Sequence, residues 1–517
     1  MAIQPDGKIV VAGACKNPSF YYVCIVRLNK DGSLDTSFNS TGKLLTFIGP
    51  GNDNKLAVAI QPDGKIVVAG TCDSAASGGK KNFCLARYSS AGALDPTFVG
   101  PNGTGAGRFH IAIGLGNDIL RSMALLADGR IIVAGACVEG ASTEFCVARF
   151  TPTGAWDSTL VGPNLSSNGR FIKSRTAGVD YGNAILLTPD NSFYVVGGCS
   201  DDFCFEGFNH NGTNNALGTT TAIGPSTDMV SSAHFQPDGK VVVVGECDNA
   251  SSVREFCFLR KNPNIPGLDN SFRGPGAAGS GKFSFAVSAD GSSAYASALA
   301  PDGKIVVVGG CYVAAEARTK LCLARLDSYG ELDASFDIAG SGNGKFIFAP
   351  SGGVSLGSAV ALEADGGIIV ASVCSASTGA NYDFCVNRFQ GDAYTGARCT
   401  MDIDGDNRVD PAVDGVLLTR YLLGFRGAAL TAGLTIPGPR KTDTLLSAFF
   451  GNAAQFDLVG RASPAPTATV DGLIMTRLML GYDDISLLTG INIPSGAQYT
   501  TAAGIKDYVI SRCAGGL

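Results

Sequence analysis

Short apolar stretches alternate with turns rich in glycine and aspartate along most of the chain. In one representative segment, an apolar stretch at Lys55–Gln61 leads into a Pro-Asp-Gly turn, and a second apolar stretch follows at Lys65–Thr71. Such a turn places its glycine at positive φ and joins antiparallel strands. A third stretch, Phe83–Tyr88, follows a polar loop of variable length. The pattern therefore predicts short antiparallel strands linked by hairpins.

The same pattern occurs seven times between residues 1 and 392. Its turn aspartates are 48 to 65 residues apart: Asp6, Asp63, Asp128, Asp190, Asp238, Asp302 and Asp365. In most copies a Leu-Asp-x-x-Phe motif follows the third stretch, and a fourth stretch opens with Gly-Lys or Gly-Arg. Four hairpin-linked strands repeated seven times predict an all-β, seven-bladed propeller with four-stranded antiparallel blades. A β-solenoid is the alternative, but the long period fits it poorly.

These repeats resemble the delta-60 repeat family of bacterial surface and secreted proteins, whose members look like β-propellers. The resemblance covers roughly Met1–Gln390 and implies a propeller domain over residues 1–392. The fourth copy departs most, because it lacks the Leu-Asp-x-x-Phe motif and has Gly207 where the others carry arginine.

The two ends of the predicted propeller are unusual. We expect Met1–Gln4 to be a truncated outermost strand of a blade. The seventh copy lacks its fourth strand. Either residues upstream of Met1, including a signal peptide, are missing from this sequence, or a neighbouring molecule donates the strand.

Fourteen of the 16 cysteines follow the repeat, because the second strand of each copy ends in one and the third begins with one. Hairpin geometry brings such positions close enough to bridge. Metal ligation is the alternative, but two cysteines per copy do not make a four-ligand zinc site. We therefore expect disulfides, and with them an extracellular or cell-surface location. The pairs are Cys15–Cys24, Cys72–Cys84, Cys137–Cys146, Cys199–Cys204, Cys247–Cys257, Cys311–Cys322 and Cys374–Cys385.

An arginine lies three residues after the second cysteine in six copies: Arg27, Arg87, Arg149, Arg260, Arg325 and Arg388. These arginines either form a ring around the channel or each pair with a carboxylate such as the Leu-Asp-x-x-Phe aspartate. We favour the second interpretation.

The pattern changes after Gln390, where oxygen-bearing residues recur at alternating positions of an EF-hand-like loop. This spacing suits Ca²⁺, which accepts six to eight oxygen ligands. A helical period follows at Gly415–Leu423. The predicted calcium ligands are the side chains of Asp402, Asp404, Asp406, Asp410 and Asp414 and the backbone carbonyl of Arg408.

This region, residues 393–517, looks like a dockerin-type calcium-binding domain, which implies docking to a cohesin-like partner. It departs from that pattern at Asn407, which replaces a glycine, and at Asp414, which lies one residue late. A second, degenerate copy at Val470–Tyr482 keeps Asp457 and Asp471. Cys399 and Cys513 remain as the last cysteine pair and bracket the domain.

The charge of the chain limits its partners. A net charge of −6 without a basic run argues against nucleic acid, and no apolar stretch is long enough to span a membrane. Two near-matches to a phosphate loop, ending at Lys282 and Lys345, lack the following Ser or Thr. Ser355 lies in a nucleophile-elbow-like motif, but no histidine follows it in the chain.

We therefore predict that the chain is not an enzyme. Variable loops on a rigid scaffold suit recognition, so the main hypothesis is a secreted or cell-surface binding or adhesion protein whose ligand is a protein or carbohydrate. The first alternative is a structural subunit that self-assembles into an extracellular fibre or matrix. The second is a propeller glycosidase or lyase, for which no carboxylate pair stands out.

Overall fold

The computed structural model describes residues 1–16, 20–49, 51–74, 79–101, 103, 106–163, 168–215, 218–263, 267–276, 279–336, 343–350, 352–363, 366–375, 382–391, 399–400, 403–404, 411–436, 440–450, 456, 458–459, 466–480, 485–495, 497, 500–502, 505 and 513–514. The chain divides into two compact units. The first comprises Met1–Phe235, Lys240–Ala298 and Ile305–Gly391. The second comprises Gln236–Gly239, Leu299–Lys304 and Asp392–Leu517.

Seven antiparallel sheets of consecutive strands form a seven-bladed propeller, and six of them have four strands. Blade one contains β1 (Ala2–Ile3), β2 (Ile9–Lys16), β3 (Tyr21–Leu28) and β4 (Lys43–Thr46). Blade two contains β5 (Asp53–Ile60), β6 (Ile66–Ser74), β7 (Lys80–Tyr88) and β8 (Arg108–Ile111). Blade three contains β9 (Asp118–Leu125), β10 (Ile131–Glu139), β11 (Ser142–Phe150) and β12 (Arg170–Lys173).

Blades four to seven continue the same order. Blade four contains β13 (Asp180–Leu187), β14 (Phe193–Cys199), β15 (Asp202–Phe208) and β16 (Thr219–Thr221), and blade five contains β17 (Met229–Phe235), β18 (Val241–Asp248), β19 (Arg254–Lys261) and β20 (Lys282–Phe285). Blade six contains β21 (Ser292–Leu299), β22 (Ile305–Val313), β23 (Arg318–Leu326) and β24 (Lys345–Phe348). Blade seven contains β25 (Ser355–Leu362), β26 (Ile368–Ser375) and β27 (Tyr382–Phe389).

Apolar side chains on both faces of the middle strands pack between neighbouring blades. Val10 and Ile25 of blade one, for example, share a core with Ile66 and Val68 of blade two. Strands that are buried on both faces read as continuous apolar runs, which explains the Val- and Ile-rich second strand of every copy.

The ring closes by direct packing of blade seven on blade one. Ile9 and Leu28 of blade one lie in one cluster with Ile369 and Ala371 of blade seven. A Cβ on Gly13 would collide with the ring of Phe384, so glycine is needed for this close approach.

The first strand of each blade lies nearest the centre of the ring. Asn183 in β13 donates a hydrogen bond to Val230 O in β17, and Ser231 in β17 donates one to Ala294 O in β21. Ala2–Ile3 pairs with β2 in this first position. The prediction that Met1–Gln4 is an outermost strand is therefore wrong. Within the described residues, blade seven has three strands and no fourth.

The C-terminal unit contains a duplicated helical segment. Helix α1 (Val416–Leu422) follows a π-helical turn at Pro411–Gly415, and α4 (Leu473–Met479) follows another at Ala468–Gly472. Helices α2 (Ala428–Thr431) and α3 (Asp443–Phe449) and the 3₁₀ turn Ile485–Leu487 lie outside the duplicated turns. The propeller also has a 3₁₀ turn, Ala314–Glu316.

The two copies of this segment pack against each other with internal symmetry. A Cβ on Gly415 would lie 3.0 Å from Thr476 Oγ1, and one on Gly472 would lie 3.3 Å from Thr419 Oγ1. Arg420 donates to Leu430 O and Ala432 O, and Arg477 donates to the matching Leu487 O and Thr489 O. Each equivalent pair is 57 residues apart (477 − 420 and 487 − 430), which supports a duplication.

Candidate ligand-binding face

The two ends of each blade carry different turns and loops. Cys137 at one end of β10 lies opposite Asp118, the first residue of β9, so hairpin tips and inter-blade connections share one end. We call this end the hairpin face, defined by the tips between the second and third strands and by the connections that precede the first strands, such as 112–117. The other end, which carries the Pro-Asp-Gly turns and the Leu-Asp-x-x-Phe segments, is the turn face.

Each of the seven cysteine pairs expected in the propeller forms a disulfide, with Cα atoms 5.4–6.0 Å apart. The partners are diagonal neighbours in the ladder. In blade three, Cys146 faces Gly135 while Cys137 faces Glu144. The bridges therefore brace every hairpin just below its tip.

Cys399 and Cys513 lie opposite each other in a short parallel ladder formed by β28 (Cys399–Thr400) and β29 (Cys513–Ala514). Their side chains lie outside the described residues, so the eighth bridge remains a prediction.

The repeated arginines are structural and lie towards the turn face. In five blades the arginine Nε is 2.6–2.9 Å from the aspartate that follows the third strand: Arg27–Asp35, Arg87–Asp95, Arg149–Asp157, Arg260–Asp269 and Arg325–Asp333. Arg388 pairs instead with Glu363. The interpretation that each arginine pairs with a carboxylate is therefore confirmed.

Four of these arginines also join their own blade to the next. Arg27, Arg87, Arg149 and Arg260 donate to Ser90 O, Pro152 O, His210 O and Ser328 O of the following blades. In four blades the guanidinium also stacks 4.7–5.0 Å from the motif phenylalanine: Phe38, Phe98, Phe272 and Phe336. One side chain thus ties a loop, an aromatic ring and the neighbouring blade together.

Blade four replaces this arrangement. The side-chain amide of Asn215 lies against Gly207 and would have to move for a larger residue to fit there. The preceding residue, Glu206, forms ion pairs with Lys173 (2.9 Å), the last residue of β12, and with Arg175 (3.0 Å) in the connection after it. These ion pairs add to the Arg149–His210 O bond between blades three and four.

A buried acceptor begins the first strand of six blades, and our sequence reasoning missed it. Asp53 accepts hydrogen bonds from Ile48 N (2.9 Å) and Gly49 N (3.2 Å), and Ser292 accepts equivalent bonds from Val287 N and Ser288 N. Burial raises the pKa of Asp53 to about 6 and raises the pKa values of Asp118 and Asp228. The signal that could have revealed these residues is their spacing, because each lies 19 positions before the first cysteine of its blade (for example 72 − 53 and 311 − 292). The six residues are Asp53, Asp118, Asp180, Asp228, Ser292 and Ser355.

The enzyme-like motifs have structural roles. The lysines of the two phosphate-loop matches donate across blades, Lys282 to Ala222 O (2.5 Å) and Lys345 to Ala286 O (2.6 Å). Ser355 is fully buried at the start of β25. His234 contacts Ser297 in the interior, where burial lowers its pKa to about 4.

Exposed aromatic side chains collect on the hairpin face of three adjacent blades. Tyr312 belongs to blade six, Tyr382 to blade seven, and Phe20 and Tyr21 to blade one. Tyr382 is 63% exposed and begins its strand directly at the hairpin. We call these four residues the aromatic arc. Tyrosine combines an apolar ring with a polar hydroxyl and is enriched at interfaces.

Two predicted calcium ligands are described, and both are buried. Asp414 Oδ1 accepts hydrogen bonds from Ile403 N (2.6 Å) and Asp404 N (3.1 Å), so the carboxylate at the helix start is anchored to the loop. Asp404 is also buried. Asp402, Asp406, Arg408 and Asp410 lie outside the described residues, as does Asp457. Buried carboxylates in one short loop fit a hard cation that takes oxygen ligands.

The second loop lacks an equivalent of Asp404. Asp471 Oδ1 accepts a hydrogen bond from Leu458 N (2.9 Å), as Asp414 does from Ile403 N, so Leu458 is equivalent to Ile403. The next residue is Asp404 in the first loop and the fully buried Val459 in the second. An apolar side chain offers no ligand, so this position of the second loop supplies none for calcium.

Comparison with known proteins agrees with the fold. Residues 4–38, 61–98, 126–160, 236–264 and 300–336 match the family described as "Domain of unknown function (DUF5122) beta-propeller". The match supports a β-propeller protein and falls in blades one, two, three, five and six. No curated protein matches the chain.

Solved structures are similar to a large part of the chain at low sequence identity. A protein of unknown function from Dyadobacter fermentans is 12% identical, with a TM-score of 0.35, over 75% of this chain and 92% of that chain. An ulvan lyase from a new polysaccharide lyase family is 11% identical, with a TM-score of 0.42, over 75% and 90%. The GH43_1 enzyme from Xanthomonas citri, complexed with xylotriose, is 11% identical, with a TM-score of 0.30, over 65% and 87%. At these identities the likeness concerns the fold alone.

Two of these structures are nevertheless enzymes, a polysaccharide lyase and a glycoside hydrolase. The prediction that the chain is not an enzyme is therefore wrong as a conclusion from its fold, which is compatible with enzymatic activity. Among the described residues, no helix is both long and apolar enough to cross a membrane.

Proposed function

We propose that the chain is an extracellular binding protein whose hairpin face recognises a polysaccharide. The observation that carries this proposal is the aromatic arc, four exposed rings on the hairpin face of blades six, seven and one. A tyrosine ring offers a flat apolar surface and a polar hydroxyl, which suits the alternating apolar and hydroxyl-bearing surface of a sugar.

The architecture beneath the arc supports the same proposal. Disulfides brace each hairpin close to its tip, so the tips are restrained by a covalent link. Rings that are held in place lose little conformational freedom on binding, which favours affinity. The same disulfides support an extracellular location.

Affinity electrophoresis in gels containing xylan, pectin, alginate or laminarin tests the proposal. We expect at least one polysaccharide to retard the protein, and the Tyr312→Ala/Tyr382→Ala variant to lose most of that retardation. Tyr329→Ala is the matched control, because Tyr329 is 59% exposed on the turn face. Equal retardation of all three proteins, or none in any gel, would reject a polysaccharide site on the arc.

The C-terminal unit is proposed to bind one Ca²⁺ in a dockerin-like manner and to dock to a cohesin-like partner. The buried Asp404 and Asp414 in the first loop support calcium there, and Val459 argues against it in the second. Bound calcium would neutralise the carboxylates and order the loop.

Calcium titration by calorimetry on the full chain tests this part. We expect a stoichiometry of one and loss of the binding heat in Asp404→Asn. Asp6→Asn is the control, since Asp6 is an exposed turn residue of the propeller. A stoichiometry of two would contradict the assignment of Val459, and heat retained in Asp404→Asn would contradict the site itself.

A further inference from the structure

Blade three carries an open cleft of about 610 Å³ on the hairpin face. Its walls are the connection before β9, the β10–β11 hairpin and strand β12, which contribute Leu115, Glu139, Ser142, Glu144, Arg170 and Ser174. The volume lies within the range of small-molecule sites, about 300–1,000 Å³. The cleft is separate from the aromatic arc, which belongs to blades six, seven and one.

The strand register directs several polar side chains to one face of this blade. Glu139 lies opposite Ser142, and Glu144 lies two residues further along β11. Because side chains alternate between faces, these three share one face of the hairpin. Arg170 begins the neighbouring strand and donates to Ala112 O (2.6 Å) at the rim. Polar groups therefore converge on the cleft from three strands.

One carboxylate oxygen of Glu144 is buried without a partner. The residue is 6% exposed, and its Oε2 has no hydrogen-bond partner among the described residues. A buried carboxylate oxygen that accepts no hydrogen bond destabilises the fold, because its lost hydration is not replaced. Native proteins retain such groups mainly where a ligand or a water completes them.

Blade five shows what a satisfied carboxylate looks like at the same position. Glu255 accepts hydrogen bonds from Ser284 Oγ (2.6 Å) and Asn249 Nδ2 (2.8 Å). Ser284 lies opposite Cys257, and the residue opposite the equivalent Cys146 is Ile172, which has no donor. The hairpin of blade three is also shorter, with only Gly140 and Ala141 between its strands, so it contains no counterpart of Asn249.

From these contacts we infer that the cleft of blade three binds a sugar residue, whose hydroxyl groups donate to the carboxylate of Glu144. Glu139 offers a second acceptor and the exposed Leu115 an apolar surface. The cleft holds two carboxylates against one guanidinium, so it favours neutral or amino sugars over uronates. This inference rests on the proposed recognition of polysaccharides and adds a second subsite on the same face.

Saturation-transfer NMR with glucose, xylose, galactose, N-acetylglucosamine and glucuronate tests the inference on the full chain. We expect transfer to at least one neutral sugar, and at least a fivefold weaker signal in Glu144→Gln, which keeps the size of the side chain but loses an acceptor. Glu255→Gln is the matched control and should bind like the unmodified protein. Near-native circular dichroism of both variants shows that they are folded.

Each outcome separates this inference from the proposed function. Transfer to glucuronate alone, or signals unaffected by Glu144→Gln, would overturn the sugar site of blade three. If polysaccharide gels still show retardation that depends on Tyr312 and Tyr382, the aromatic arc stands without the cleft. If the sugars bind through Glu144 while the arc variants behave like the unmodified protein, the cleft stands and the arc is rejected.

Discussion

The turn face and the hairpin face lie at opposite ends of the same strands, but they have different roles. At the turn face, most blades repeat one set of contacts, in which an arginine pairs with an aspartate and reaches the next blade. At the hairpin face, a disulfide performs the bracing, and the tips differ in length and sequence from blade to blade. The difference teaches that variation is tolerated where a covalent link has replaced side-chain contacts.

The largest effect on stability should come from breaking a contact of the turn face. Arg149→Met removes one of the two arginine partners of the buried Asp157 and the bond to His210 O. Because each lost hydrogen bond involves a charged group and contributes about 1.5–3 kcal/mol, we expect a loss of about 3–5 kcal/mol in the free energy of unfolding. Urea denaturation measures it. A loss below about 1 kcal/mol would show that Arg130, which also contacts Asp157, is sufficient.

Removing one hairpin brace should cost less. Cys137→Ser/Cys146→Ser opens a loop with a sequence separation of 9 residues, for which chain entropy predicts a loss of about 2–3 kcal/mol. The same urea titration measures it. A larger loss than in Arg149→Met would reverse the order of the two faces.

Alkylation of the unmodified protein checks the bridges directly. Iodoacetamide should label none of its 16 cysteines before reduction and all of them afterwards. Two labelled cysteines before reduction would show that Cys399 and Cys513 are not bridged.

The buried acceptors at the start of the first strands should make stability depend on pH. The folded pKa of Asp53, about 6, lies above its unfolded value of about 3.9, so the folded state binds the proton more tightly. The resulting stability is full below pH 4 and is lost as the pH rises to 6. Asp53→Ser introduces the residue type that blade six carries at Ser292, and it should lessen this loss by about 1–2 kcal/mol. Urea midpoints at pH 4 and pH 7 measure the difference, and parallel pH profiles of the two proteins would contradict it.

The smallest effect on stability should come from the tip of a hairpin. Tyr382→Ser alters an exposed ring, so we expect a change within about 0.5 kcal/mol. Thermal unfolding of the variant measures it. A larger loss would mean that the ring supports the fold, and the aromatic arc would then have to be reconsidered as a structural feature.

Much of the fold could be predicted because each repeat contains its own local signals. The Pro-Asp-Gly turn, the paired cysteines and the Leu-Asp-x-x-Phe motif recur in a fixed order, so turn chemistry and strand period agree in most copies. The pairing of Arg149 with Asp157 could be predicted for the same reason. The position of Met1–Gln4 could not, because two paired residues carry too little pattern to distinguish a first strand from a last one.

The candidate sites depended on contacts that the sequence does not encode locally. Glu144 and Glu255 occupy the same place in the repeat, and the neighbouring fourth strand and the length of the hairpin decide whether the carboxylate is satisfied. Likewise, Phe20, Tyr312 and Tyr382 are far apart in the chain and meet on one face only because blades six, seven and one are neighbours in a closed ring.

The sequence by itself thus determined the repeat, the hairpins and the disulfide pairs, because strand period, turn residues and cysteine spacing act within about 60 residues of chain. The tertiary structure alone decided which buried groups find partners and which exposed rings gather on one surface. Those outcomes depend on the packing of separate blades, which brings together side chains that no local pattern connects.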